Sequence, residues 1–304
     1  AGQRFDKYIF KLLKNAGTGL IFKQLRNKNI VLNGKKAKGN EILKENDSVR
    51  IFMSDDTINK FTGGPLHISK TGFRLDVIYE DDDILLASKP VGVLSQKSSD
   101  KDISMNEYLI EYLTDNGFGK ENLATFKPSF CNRLDRNTSG LMIAGKSLRG
   151  LQKMSEIIKD RSIHKFYLTI VKGIVDKKSV IKGYLRKDEK NNKVVIYDNP
   201  VKDSYEIHTE YEPLATKDDM TLLKVRLITG KTHQIRAHLA GISHPVLGDF
   251  KYGDKVFNEK YGEKRQLLHS YQVVFPKLDN FPDISEKSFN TPYPVNFTKY
   301  FKEN

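Results

Sequence analysis

Over residues 161–175 the pattern switches to a period of two, and this change of period constrains the fold more than any other feature of the chain. Phe166, Leu168 and Ile170 fall on one side of an extended segment, with Tyr167, Thr169 and Val171 on the other. Segments 180–186, 193–197, 204–212 and 221–229 read as further strands, separated by polar turns at 189–192 and 216–219. Connections so short join antiparallel neighbours, because a parallel crossover needs about a dozen residues or more. Helical spacing appears elsewhere. Met105, Leu109 and Leu113 form one stripe within 104–118, and Leu148, Leu151, Met154 and Ile158 form another behind a capping Ser147. A short helix carries Ile235, Leu239 and Ile242 and ends at Gly241, while 267–269 with 273–275 suggest a closing strand pair. The fold class expected is α+β, with residues 75–304 forming a mixed α/β domain on a mainly antiparallel sheet.

Residues 1–53 read as a separate small α/β unit. Phe5, Ile9, Leu12 and Leu13 repeat at helical spacing, Leu20, Ile21 and Leu25 mark a second helix, and Ile30-Val31-Leu32 runs into Asn33-Gly34, a strong hairpin signal. Residues 54–74 hold Gly63-Gly64-Pro65 and few apolar positions, and read as a linker. The unit carries 12 Lys and Arg against four Asp and Glu, so a surplus of eight, out of a net +13, sits in about a sixth of the 304 residues. Charge so concentrated points to a polyanion. RNA is the first expectation, with phosphate contacts from Arg4, Lys11, Lys14, Arg26, Lys28, Lys35 and Lys36; a solvated basic face is the plainer alternative.

A single cysteine, Cys131, excludes an internal disulfide or a cysteine-built zinc site and fits a reducing cytoplasm. No apolar run approaches the roughly 20 residues that span a bilayer and no signal-peptide core is evident, so a cytoplasmic protein with no membrane partner is expected. No glycine-rich phosphate loop and no close His, Asp and Glu cluster stands out, so neither a cofactor nor a metal is expected. Nothing in the pattern demands more than a monomer.

The chemistry-bearing stretch is Asn132-Arg133-Leu134-Asp135-Arg136-Asn137-Thr138-Ser139-Gly140-Leu141. Asp135 lies between two guanidinium groups in a run of turn-forming residues that feeds an apolar strand at 141–144. A carboxylate with cations beside it keeps its charge and can act as a nucleophile, although the same pattern also serves a loop Asp making structural ion pairs. A second stretch, Gly230-Lys231-Thr232-His233-Gln234-Ile235-Arg236-Ala237-His238-Leu239, continues to Ser243-His244-Pro245-Val246-Leu247-Gly248-Asp249. His233 and Arg236, three residues apart, share a helical face and can point together into a cleft.

Together the two stretches resemble the signature pair of the RluA-type pseudouridine synthases, closest to the RluC-like branch that acts on ribosomal RNA. The resemblance runs from about residue 75 onward and includes Lys89-Pro90-Val91-Gly92, similar to the family's opening motif. Arg4-Phe5-Asp6-Lys7 and Val31-Leu32-Asn33-Gly34-Lys35 resemble an S4 RNA-binding domain. The first resemblance implies isomerisation of specific uridines in ribosomal RNA, with 23S RNA the expected partner and no cofactor. It implies Asp135 as the catalytic carboxylate, Tyr167 in Lys165-Phe166-Tyr167 as the group that moves a proton, and Arg236 as the partner that keeps Asp135 ionised and aimed. Asn132, Arg133, Arg136, Lys231, His233 and Gln234 are then the expected substrate contacts around an everted nucleotide. Two positions depart from the family pattern: Asn132 stands where it usually has His, and Lys231 replaces a common Arg, keeping charge but losing a bidentate fork.

Two other readings remain. An S4-tethered protein could hold RNA without chemistry, which the joint presence of Asp135, Tyr167 and Arg236 argues against. An Asp-nucleophile glycoside hydrolase requires a second close carboxylate as acid, and the motifs supply none.

Overall fold

The computed structural model describes residues 2–62, 70–99, 101–119, 123 and 125–302. The Gly63-Gly64-Pro65 core of the expected linker lies outside the described residues. In the N-terminal unit, helices α1 (Phe5–Leu12) and α2 (Thr18–Arg26) accompany strands β1 (Ile30–Leu32), β2 (Lys35–Lys36) and β3 (Val49–Ile51). The strands form an antiparallel sheet in the order β2-β1-β3. Phe5, Ile9, Leu13, Ile21, Leu25 and Ile30 bury its core, as the helical spacing requires. Asn33 and Gly34 take φ of 51° and 72°, the paired positive values of a tight hairpin turn.

The unit does not stop at residue 53. Helix α3 (Asp55–Thr62) follows, Phe61 packs against the same core, and the Asn15 N–H donates to the Phe61 carbonyl at 2.9 Å. The first part of the expected linker is therefore structured. Its sparse apolar content had hidden a helix anchored by one aromatic side chain.

The remaining strands build one sheet: β4 (Asp76–Glu80), β5 (Ile84–Lys89), β6 (Ser129–Phe130), β7 (Ser139–Gly145), β8 (His164–Lys172), β9 (Ser179–Asp188), β10 (Lys193–Tyr197), β11 (Tyr205–Lys217), β12 (Met220–Leu227), β13 (Leu268–Val274) and β14 (Ser288–Asn290). Its order is β10-β9-β11-β12-β8-β13-β7-β5-β4, with β14 added to β13 and β6 to β7. Among the described residues the β7–β13 pairing is parallel and every other pairing is antiparallel, so the sheet is mainly antiparallel as expected.

Helices α4 (Met105–Asp115), α5 (Leu148–Lys159), α6 (Gln234–Gly241) and α7 (Lys255–Tyr261) cover it. Leu85, Ala87, Met142 and Ala144 share one core with Met105 and Leu109 of α4 and Ile235 and Leu239 of α6. Their alternates Ile84, Leu86, Leu141 and Ile143 share another with Met154 and Ile157 of α5. The central strands are thus apolar on both faces, which is why they read as continuous hydrophobic runs.

The expected closing strand pair is instead a single strand, β13, inserted between β7 and β8. A bulge between Ser270 and Gln272 breaks its period of two and splits it into two apparent segments. At Ser270 the strand pairs with Gly140 on one side and Tyr167 on the other. That register brings the strand leaving the Asp135 loop within one strand of the Tyr167 backbone. Gly140 is needed there: its φ is +105°, and a Cβ would lie 2.1 Å from the Ser270 carbonyl oxygen.

Candidate active site

The Asp135 loop is clamped from several sides. Ser95 Oγ donates to the Leu134 carbonyl at 2.8 Å and accepts from the Leu134 N–H at 2.9 Å. The Lys89 ammonium, fully buried, donates to the carbonyls of Pro90 at 2.9 Å and Arg136 at 3.0 Å. The Gly92 N–H also donates to Arg136 O, at 2.8 Å, and Arg136 Nε returns a bond to Gly92 O at 3.1 Å. Burial pulls the Lys89 pKa down to about 8, against the opposing pull of the Asp135 charge. The segment 89–92 thus fixes the loop from beneath.

On the opposite wall α6 presents Arg236, 6% exposed. Its Nη1 donates to Asp135 Oδ2 at 2.7 Å, while Nε and Nη2 hold Asp249 Oδ2 and Oδ1 at 2.6 and 2.8 Å. Asp249 Oδ1 also accepts the N–H groups of Lys251 at 2.8 Å and Tyr252 at 3.1 Å. Burial opposes the charge of Arg236, yet its two carboxylate partners outweigh burial and hold the guanidinium above its ordinary pKa. Burial pushes Asp249 upward, and its bonds to Arg236 and the two amides more than reverse this. Arg236 is therefore a fixed cation, gripped from behind by Asp249 and presenting its remaining edge to Asp135.

Tyr167 stands on β8 in the same cleft, 5% exposed. Burial pushes its phenol up to about 12, the Asp135 charge adds to that, and a hydrogen bond with Ser270 opposes it. The phenol is protonated at neutral pH. The cleft, of about 550 Å³, is lined by Asp135, Tyr167 and Arg236 together with apolar Leu227, Ile235 and Leu268. The cleft has room for a planar polar ring together with its sugar, and mixes polar with apolar lining. A larger hollow of about 670 Å³ beside Phe73, Arg74 and Tyr112 lacks such a constellation, and its Glu111 is engaged by Thr71 and the Gly72 N–H.

The other expected contacts divide. Arg133 and Arg136 are exposed at the rim, and Lys231 lines the cleft with Nζ 3.7 Å from the Tyr205 ring centroid. His233 reaches inward, Nε2 lying 3.9 Å from Asp135 Oδ2. Asn132 lines the cleft, and its Oδ1 accepts the Ile143 N–H at 2.8 Å, so this side chain also shapes the loop. Gln234 is a correction as a polar substrate contact. Gln234 is 2% exposed; its Oε1 accepts from Thr229 Oγ1 and the Lys231 N–H, and its Nε2 donates to His208 O and Thr209 Oγ1, so it pins the start of α6 to β11.

In the N-terminal unit Lys11, Lys14, Arg26, Lys28, Lys35 and Lys36 are exposed. Arg4 is exposed as well and also pairs with Asp6, with bonds of 3.2 and 2.7 Å. Cys131 is half-buried, its thiol pushed up to about 11 by burial, in keeping with a packing role. Among the described residues no group of three or more His, Cys, Asp or Glu could hold a metal ion, and no helix is long and apolar enough to cross a membrane.

Sequence reasoning missed Lys165 and Tyr252 as parts of the site; Lys89 fell within the expected framework motif, and Asp249 within the second motif without a role. Asp249 does place a second carboxylate nearby, but not the acid that the glycosidase reading requires. It sits on the same guanidinium as Asp135, but its side chain is fully buried and its pKa is held down, so it cannot serve as the proton donor a glycosidase needs.

Residues 83–241 match the family described as RNA pseudouridylate synthase. An uncharacterised RNA pseudouridine synthase of Mycoplasma genitalium is 32% identical over 294 residues, covering 94% of this chain and 90% of the relative. The ribosomal large subunit pseudouridine synthase C of Pasteurella multocida is 29% identical over 285 residues, covering 90% of this chain and 83% of its own. Human RNA pseudouridylate synthase domain containing 4 has a similar fold, with a TM-score of 0.60 at 20% identity over 73% of this chain and 90% of its own.

Proposed function

This chain belongs to the RNA pseudouridine synthase family, and from that premise we propose that it isomerises uridines of large-subunit ribosomal RNA, 23S RNA in particular. Asp135 acts on the nucleoside as the C1′–N1 bond breaks. The freed pyrimidine, held against Leu227, Ile235, Leu268 and the Tyr167 ring, turns so that C5 faces C1′. A C1′–C5 bond forms, the C5 proton leaves and N1 regains one, so composition and oxidation state are unchanged. Tyr167 enters this exchange as a neutral phenol, able to donate a proton and, through water, to relay one. Arg236 holds Asp135 at the reacting carbon. The observation that carries this reading is the bridge of one buried guanidinium between Asp249 behind it and Asp135 in front, with Tyr167 in the same cleft.

The N-terminal unit serves as an S4-like tether for RNA phosphates, a role supported by its charge surplus and the exposure of Lys35 and Lys36 on β2. The enzyme works as a monomer in the cytoplasm. One chain supplies Asp135, Tyr167 and Arg236, and its one cysteine is a free thiol.

The test is tritium release from ribosomal RNA labelled at uridine C5, with the native chain and with Asp135→Ala. Release by the native chain alone supports isomerisation. RNA binding without release would leave only a binding protein.

A further inference from the structure

Tyr252 lies three residues after Asp249, and its hydroxyl joins two elements. The Val194 N–H on β10 donates to Tyr252 Oη at 2.8 Å, and the same oxygen lies 2.9 Å from His233 Nδ1. A phenol has one proton to give. With Val194 already donating to the oxygen, that proton goes to Nδ1, which makes Nδ1 an acceptor and leaves the neutral ring protonated on Nε2. The other end of the ring asks for the same tautomer. Nε2 faces Asp135 Oδ2 at 3.9 Å, where a lone pair would be repelled and an N–H attracted.

We propose that Tyr252 is a positioning residue that locks His233 as a neutral imidazole with its Nε2–H aimed at Asp135. This rests on reading Asp135 as the reacting carboxylate. The backbone supports the lock: His233 takes a left-handed φ of 54° immediately before α6, a conformation that tertiary contacts must hold. The Tyr252 ring is itself held, edge-on to His233 at 5.6 Å and under the Arg236 guanidinium at 5.2 Å.

The chemical purpose follows from charge. Asp135 already meets one full cation, Arg236; a second at His233 would draw further negative charge away from the reacting carbon. A neutral N–H orients the carboxylate without that penalty. Protonating the ring puts a hydrogen on Nδ1, so the Tyr252 hydroxyl would have to stop donating there and turn to accept alongside the Val194 N–H. Around the ring, burial, Arg236 and Lys251 resist the cation, while Asp135 and Asp249 favour it. The sum already favours the neutral form, and the Tyr252 hydroxyl adds to it by selecting the tautomer.

The experiment combines the nitrogen spectrum of 15N-histidine-labelled protein with the pH profile of tritium release. The His233 signals are identified by their loss in His233→Gln. The native protein should show His233 neutral and protonated on Nε2. In Tyr252→Phe, which keeps the ring and frees Nδ1, the His233 pKa should rise above its native value, while burial, Arg236 and Lys251 still oppose the cation. A rise as far as the ordinary pKa of about 6.5 would leave the ring roughly three-quarters protonated at pH 6, so turnover at pH 6 relative to pH 8 should fall below the native ratio, by up to about fourfold. A proton on Nδ1 in the native protein, or a Tyr252→Phe enzyme with the native pH profile, would overturn the lock. If that variant does not fold, the native ring spectrum decides alone. Failure of the native protein to release tritium would overturn the functional reading, while the spectrum would still decide the tautomer.

Discussion

The two carboxylates on Arg236 are chemically alike and nearly equidistant from it, yet replacing each with its amide is expected to damage the protein in opposite ways. Asp135 is 24% exposed in its side chain and makes one bond to the guanidinium; Asp249 is fully buried and makes two. Asp249→Asn turns one of those contacts into donor against donor and leaves a buried guanidinium with a single anionic partner. Removing one partner of a buried pair costs about 3–5 kcal/mol, and the surviving bond to Asp135 places the loss near 3. For a domain of this size that is a fall in melting temperature of about 6–12 °C. Turnover should also drop by about 10- to 100-fold, since Arg236 is no longer fixed behind the reacting carboxylate. Asp135→Asn should abolish tritium release while changing stability by no more than about 1 kcal/mol, because solvent reaches the site. Thermal unfolding and tritium release on both variants test the argument. If Asp249→Asn melts within about 2 °C of the native protein, or Asp135→Asn is the less stable of the two, the assignment of grip and reacting group is wrong.

Three further outcomes are expected. His269 is buried between Ser139 Oγ at 2.8 Å and Thr291 Oγ1 at 2.6 Å, and burial lowers its pKa to about 4. The unfolded chain therefore binds the proton first, so stability should fall as pH drops from about 6.5 to 4, by about 3 kcal/mol, and His269→Gln should flatten that slope in urea titrations. Lys165 lines the cleft, where burial and the charge of Arg161 lower its pKa, and no ion pair engages it among the described residues. Lys165→Met should weaken RNA binding and reduce its salt slope by about 0.7 to 0.9, with thermal stability unchanged or improved; an unaltered slope would show that no phosphate reaches it. Replacing Lys35 and Lys36 together with Ala should reduce the salt slope by about 1.4 to 1.8 while leaving turnover on saturating RNA intact, and loss of turnover there would contradict a tethering role.

Much of this was legible in the sequence because the signals were local. The alternation around Tyr167 put Leu168 and Ile170 in one core and Tyr167 and Val171 in another, as a pleated strand must. Ser147 caps α5 by accepting the Gly150 N–H, and Lys193–Tyr197 is a strand with the bounds its composition suggested. Asp135, Tyr167 and Arg236 meet because each lies in a motif that carries its own turn or strand.

What sequence could not give was the purpose of a polar group whose partner is remote in the chain. Lys89 reads as part of an opening motif, but what it does there is not evident until its ammonium is seen holding the Arg136 carbonyl, 47 residues away. Gln234 reads as a polar helix start facing substrate until His208 and Thr209 claim its amide. Asp249 lay within a recognised motif, but only its burial against Arg236 distinguishes a structural carboxylate from an acid catalyst. β13 was misread because one bulged residue disrupts the period on which strand assignment depends.

The late arrival of β13 has a consequence for synthesis. A nascent chain that ends before Leu268 already contains every side chain assigned to the reaction, but it lacks the strand that seats Gly140 and Tyr167 on either side of Ser270. Contacts separated by about 100 residues or more close last, after their loop entropy has been met. The enzyme should therefore remain inert through most of its own translation, and acquire activity only when this segment leaves the exit tunnel and slides between its two waiting neighbours.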